Sequence, residues 1–476
     1  MIVLPTFFLT ELCDETDDGA LKVTIPESPN TKAKTYYRRK VKNDNGSSCC
    51  IRLHEYNFFP VVVSSNGAPW PEANLYILRK LESLVKPSMS TLQLVAADLT
   101  DYKSFVDNEG IEPFVFPKRK LLRPTYRYRN SSIIKAQAGE VSLNTIKRRV
   151  ASVISFYNWV QKESIEQLEN PPWTEKTVYM PINSTYGSSL IRKVRSTDLS
   201  IKSVENKNPY SERILDGSEL KPLTPDEQLI LFKTLNDLCN PEMTLVHLIA
   251  FYTGARIQTV LTLRISIFHK TVSHTTKEVR VKVGPGTGVD TKNDKLMTLF
   301  IPTQLFEKIQ TYVSCSRACK RRTLAIADHS DYLFLTNRGA PYYDAKSQLS
   351  VFDEHNTKKR PNNGQGVRQF ISKSLIPQIR KIHGFENFTF KFHDLRATYG
   401  LNLTDNQLEL VRKGNSNLFK AREFVRARMG HASASTTDLY LQYRDNVSLI
   451  RQSQLSYEEY IQALAQKTLG ALHDIC

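Results

Sequence analysis

The sequence predicts a mainly α protein with a small antiparallel β-sheet, and three stretches carry that expectation. Ser142–Glu163 has a helical period: Ile146, Val150, Ile154 and Tyr157 recur at spacings of three and four, with Val153, Phe156 and Val160 widening the apolar stripe. Thr224 as N-cap, Pro225 at the first helical position and Glu227 two residues on compose a capping box with a proline start. Between 278 and 302, EVRVKVGPG and TKNDKLMTLFIP alternate and carry turn signals, which predicts a small antiparallel sheet.

Taken in order, residues 1–85 form an N-terminal accessory region. It holds a basic stretch, Lys32, Lys34, Arg38, Arg39, Lys40 and Lys42, with Tyr36 and Tyr37 between, and a β-rich patch at Phe58–Val63. Basic side chains interleaved with aromatics suit a DNA backbone, and equally a solvated face. Residues 86–168 turn helical; Thr100 ahead of DYKSFV reads as a helix cap. Lys118, Arg119, Lys120, Arg123, Arg127 and Arg129 crowd one short span, favouring DNA contact. Residues 169–222 show no sustained period and read as an inter-domain linker. A mostly helical domain, 223–476, follows, and Ser456–Ile475 is amphipathic enough to dock on its own domain or on a neighbouring protomer.

Composition narrows the partners. At 476 residues the chain is long enough for two or three domains, and its net charge of +17 points to a polyanion, nucleic acid first. No apolar run approaches the roughly 18–20 residues that span a bilayer. The apolar opening lacks a basic leader and runs into acid, which makes a poor signal peptide. Seven irregularly spaced cysteines suit reduced thiols rather than a disulfide scaffold or a zinc site. The expectation is a cytoplasmic, DNA-facing protein with no metal and no cofactor.

Four short strings carry chemistry: TGAR at Thr253–Arg256, TKNDK at Thr291–Lys295, HDLR at His393–Arg396 and GHASASTTDLY at Gly430–Tyr440. Arginine forks clamp phosphate oxygens. A lysine can give up a proton, and a tyrosine hydroxyl can become a covalent nucleophile. His393 and Arg396 share a helical face at a spacing of three. His431 at a helix start, a turn, and a further helix would deliver Tyr440. Singly, each string is weak.

The ordered set resembles the tyrosine recombinase (phage integrase) family, loosely over 90–168 and firmly over 223–445. The resemblance implies a helical core-binding domain at 86–168 and a catalytic domain after it. It places the family's site residues on Arg256, Lys292, His393, Arg396, His431 and Tyr440. Lys295 competes with Lys292, which is preferred as ending the strand before the hairpin turn; Tyr443 competes with Tyr440. The family's glutamate three residues after the first arginine is replaced by Thr259.

What the resemblance implies is site-specific DNA cleavage and rejoining through a 3′-phosphotyrosyl link, for a mobile element. It also implies double-stranded DNA as partner, a homotetramer on paired sites, accessory DNA-bending proteins, and residence with the nucleoid. Two alternatives stay open: a type IB topoisomerase-like enzyme that relaxes DNA, and a catalytically silent DNA-binding regulator.

Overall fold

The computed structural model describes residues 1–10, 12–13, 21–25, 34–38, 40–42, 48–50, 52–84, 88–183, 189–201, 213–272, 276–348, 360–444 and 457–464. The protein is mainly α-helical with small antiparallel sheets. It divides into two compact units, one built chiefly from Met1–Glu205 and the other chiefly from Asn206 onward. Among the described residues, no helix is long and apolar enough to cross a membrane.

In the first unit the helices are Pro71–Glu82, Met89–Asn108, Pro124–Gln137 and Leu143–Lys162. The helix expected at Ser142–Glu163 forms, and Ser142 caps it by accepting from the Thr145 amide. All of its stripe but the half-buried Ile154 is buried against an aromatic core in which Trp70, Tyr102, Phe156 and Tyr157 meet edge to face or tilted, an arrangement that suits ring quadrupoles. Thr100 is not a cap. Its helix begins eleven residues earlier at Met89, and the Thr100 hydroxyl bonds back to the Ala96 carbonyl.

The Phe58–Val63 patch falls largely on strand Arg52–Val61, antiparallel to Ile2–Thr10. The side chains of the basic stretch Lys32–Lys42 lie outside the described residues. Within the basic span 118–129, Arg123 is structural: it is buried and donates to the carbonyls of Pro117, Lys118 and Pro171. The stretch read as aperiodic, 169–222, contains a long hairpin, Glu175–Asn183 against Ser189–Thr197, and a second very short one, Ile214–Leu215 against Glu219–Leu220.

The first helix described in the second unit is Pro225–Asp237 with its capping box, in which Thr224 and Glu227 each receive the other's backbone amide. Helix Pro241–Thr253 then runs through the core, with Val246 and Ile249 inaccessible to solvent. The expected hairpin is Glu278–Val283 against Met297–Pro302. Three helices bring the last two motifs into place: Asp394–Arg412, Leu418–Met429 and one over 434–444. Of the expected terminal helix, 457–464 is helical and exposed, and the remainder lies outside the described residues.

Helix Pro241–Thr253 is tied down by Glu242, whose fully buried carboxylate accepts from Arg317 Nε at 2.8 Å and Nη2 at 2.9 Å and from Tyr312 at 3.1 Å. Arg321 lies 3.2 Å away. Removing one member of such a cluster leaves buried charge uncompensated. Glu242→Ala is therefore expected to lower unfolding free energy by on the order of 3 kcal/mol, read as a shifted urea midpoint.

Candidate active site

Arg396 organises the site. It sits on the first turn of helix Asp394–Arg412 with 2% of its side chain exposed, so each of its donors requires a partner. Nη1 donates to the Gly254 carbonyl and Nη2 to the Met429 carbonyl, both at 2.9 Å. Those carbonyls end two helices, each closed by a left-handed glycine: Gly254 with φ 64° and Gly430 with φ 65°. Helix C-termini leave carbonyls without intrahelical partners and carry partial negative charge, so a guanidinium answers both needs. The glycines of TGAR and MGH are thus the caps that aim the site. A Cβ on Gly254 would also lie 2.6 Å from the Tyr399 ring.

The third donor, Nε, meets Asp216 Oδ2 at 2.8 Å. That same oxygen accepts from His431 Nε2 at 3.2 Å and from the Tyr440 hydroxyl at 3.1 Å. Arg256 Nη2 stands 3.9 Å from the other carboxylate oxygen. His431 Nδ1 is 3.0 Å from the hydroxyl of Thr437, which orients the ring. Three distant motifs therefore converge on one buried carboxylate supplied by the turn of the short hairpin Ile214–Leu220.

Tyr440 is fully buried, its ring stacked on His431 at 5.8 Å and packed against Ile214, Val425 and Met429. The ring fits because residue 400 is glycine: a Cβ there would lie 2.5 Å from Tyr440 Cε1. Tyr443 packs at the edge of the same cluster.

The remaining expected residues line an adjoining cleft of about 560 Å³, where Arg256, Lys292 and His393 meet Gly217, Ser218 and the apolar side chains Ile257, Phe390 and Phe392. His393 is the N-cap of helix Asp394–Arg412. Its neighbour Asp394 accepts from the amides of Lys221 and Lys391, and Thr398 accepts from the Leu223 amide. These bonds clip the chain leaving the short hairpin onto the HDLR helix.

Lys292 does not end a strand. The first strand stops at Val283, and Lys292 occupies a tight turn, Lys292–Asp294, in which Asn293 and Asp294 have positive φ. Lys295 instead donates to the Gly430 carbonyl at 2.8 Å. Thr259 is buried, so the carboxylate beside the cations comes from Asp216 and not from position 259.

Electrostatics follow from this crowding. Burial alone opposes charge on Asp216, but His431 and Arg396 overcome it and hold the carboxyl far below the usual range. Burial, then the Asp216 charge, pushes the Tyr440 phenol well above its ordinary value. Burial, with Arg396 and Arg256 beside it, pushes His393 down to about 4. Burial also pushes His247, within the core, down to about 4.

No family model and no curated protein matches the chain. Among solved structures it is similar to XerH site-specific recombinase bound to palindromic difH substrate, at 13% identity over 83% of this chain and 92% of that one, with a TM-score of 0.44. It is also similar to the Tn1549 transposon integrase in complex with transposon right end DNA, at 13% identity, 78% and 94% coverage, and a TM-score of 0.44. A lambda integrase dimer bound to a COC′ core site gives 13% identity, 78% and 94% coverage, and a TM-score of 0.41. All three likenesses are distant, and the chemistry of this chain is set by its own side chains.

Two outcomes are expected. Gly400→Ala drives a methyl into the Tyr440 ring, and overpacking of this kind costs about 1–3 kcal/mol; urea unfolding measures it. The second concerns acid. His247 and His393 titrate near 4 when folded and near 6.5 when unfolded. Between those values the unfolded chain binds more protons, so stability is full above about 6.5 and declines as pH falls towards about 4. Asp216 adds to this: its contribution is present above about 4 and lost in stronger acid. The urea midpoint should fall between neutrality and about pH 5, and His393→Gln should flatten part of that slope.

Proposed function

We propose that the chain is a tyrosine-type site-specific DNA recombinase that breaks and rejoins strands through a 3′-phosphotyrosyl intermediate. The observation that carries this reading is the convergence of Arg396, His431 and Tyr440 on one anionic group, with Arg256 beside it and Lys292 and His393 on the adjoining cleft. Two guanidiniums, an imidazole and a phenol around one anion suit a phosphodiester.

In this mechanism Arg256 and Arg396 balance the charge that builds on the non-bridging oxygens, and His431 donates a third hydrogen bond to them. The Tyr440 oxygen attacks phosphorus as its proton passes to His393, neutral at physiological pH. The 5′ oxygen leaves with a proton from Lys292. Its place on the cleft supports Lys292 over Lys295, which is engaged on a backbone carbonyl. The ester bond is kept as tyrosyl phosphate, so a partner strand's 5′ hydroxyl can reverse the step.

The wider assignment follows the same reading. Residues 223–476, together with the hairpin Ile214–Leu220 that carries Asp216, form the catalytic domain, 86–168 a core-binding domain, the rest of 169–222 a linker and 1–85 an accessory region. Double-stranded DNA is the partner, bound by a homotetramer on paired sites with accessory DNA-bending proteins. The element served is mobile, and the protein resides in the cytoplasm with the nucleoid.

Nicked duplexes drawn from the flanks of its own gene, incubated with the protein in EDTA and resolved on a denaturing gel, test the reading. A covalent band is expected from wild type and not from Tyr440→Phe. Arg256→Gln should slow the band by about 10²–10³-fold, the usual effect of losing one transition-state donor. Lys292→Ala should be slow on ordinary DNA and restored on DNA with a bridging 5′ sulfur, a leaving group that needs no proton. Tight binding without any band would turn the reading to the silent regulator; a band from Tyr440→Phe would move the nucleophile to Tyr443.

A further inference from the structure

We propose that Asp216 sits in the seat of the scissile phosphate, so that the hairpin Ile214–Leu220 keeps the unliganded enzyme off until DNA displaces it. This rests on the phosphodiester reading above and names how that site is regulated.

The carboxylate resembles a phosphodiester in what the site recognises: one negative charge spread over two terminal oxygens. A counter-ion for Arg396 would need only Arg396. Here a single oxygen also takes the His431 Nε2 and Tyr440 hydroxyl donors, within 3.2 Å, and Arg256 faces its twin. These groups are the ones phosphate chemistry requires. Two like charges cannot share the seat. While Asp216 holds it, the Tyr440 hydroxyl donates to a carboxylate rather than facing phosphorus.

The plug is built to leave. Only two residue pairs join its strands, Ile214 with Leu220 and Leu215 with Glu219. Two buried apolar side chains, Ile214 and Leu220, anchor it, while Leu215, Gly217, Ser218 and Glu219 are exposed. Its tip, Gly217 and Ser218, borders the cleft beside Arg256, Lys292 and His393. The tip lines that cleft, whereas the buried Arg396 does not. DNA therefore supplies both the replacing anion and the push.

Thermal unfolding of the full chain and of Asp216→Asn, titrated with inorganic phosphate against sodium chloride at equal ionic strength, tests the seat. An ion that binds only the folded state raises the melting temperature. Phosphate should stabilise Asp216→Asn with an apparent affinity at least about tenfold tighter than for wild type, and adding Arg256→Gln should abolish the gain. Leu220→Ala, which keeps the carboxylate and loosens the hairpin, should gain a weaker response and serves if Asp216→Asn folds poorly. Equal responses in wild type and both variants would overturn the proposal.

The covalent-adduct assay separates this from the parent reading. Faster adduct formation by Asp216→Asn supports both. A phosphate gain with no DNA adduct from any variant leaves the seat standing and removes the recombinase. An adduct forming equally fast in wild type and Asp216→Asn, with no phosphate gain, removes the plug and leaves the recombinase.

Discussion

A guanidinium taken out of water must have its N–H groups answered, and burying Arg396 imposes that condition on the whole second unit. Its three polar partners come from three places in the chain: the end of helix Pro241–Thr253, the end of helix Leu418–Met429, and the turn at Asp216. Each helix end can offer a carbonyl because a glycine takes the left-handed conformation there. Shift either helix, and a buried charge loses a bond. The arrangement of the side chains around Asp216 is thus a consequence of satisfying one side chain.

That constraint also sets the chemistry. Arg256 follows Gly254 by two residues and His431 follows Gly430 directly, so the two caps that satisfy Arg396 also position the second arginine and the second histidine. The helix over 434–444 then returns Tyr440 over Gly400, where the missing Cβ admits the ring. Burial first, and then the charge of Arg396 and Arg256, lowers the proton affinity of His393. Burial and then the Asp216 charge raise that of Tyr440.

Much of this was legible in the sequence where the signal is local. The capping box at Thr224, the stripe of Ser142–Glu163 and the hairpin at 278–302 each follow from side-chain spacing within a few residues. The four motifs stand out through their order, which carries the family resemblance, and the structure brings residues of three of them to one carboxylate. Thr100 misled because a threonine ahead of acidic and apolar residues reads as a cap, whereas inside a helix its hydroxyl can bond to the preceding turn. Asp216 was invisible for a different reason. DG marks a turn, and nothing nearby shows that this turn reaches a guanidinium 180 positions later. Gly400 likewise looks like a helix weakness until the Tyr440 ring is laid over it. Lys292 precedes a turn signal and so reads as a strand end, but the ladder stops at Val283.

Seating a phosphodiester among these converging side chains is the step on which the proposed chemistry depends. A crystal structure of the chain bound to a nicked duplex from the flanks of its own gene tests it most directly. The expected complex has a backbone phosphate within hydrogen-bond distance of Arg256, Arg396 and His431, the Tyr440 oxygen facing phosphorus, and Asp216 withdrawn. DNA bound elsewhere, with Asp216 still on Arg396 and Tyr440 still buried, would contradict it.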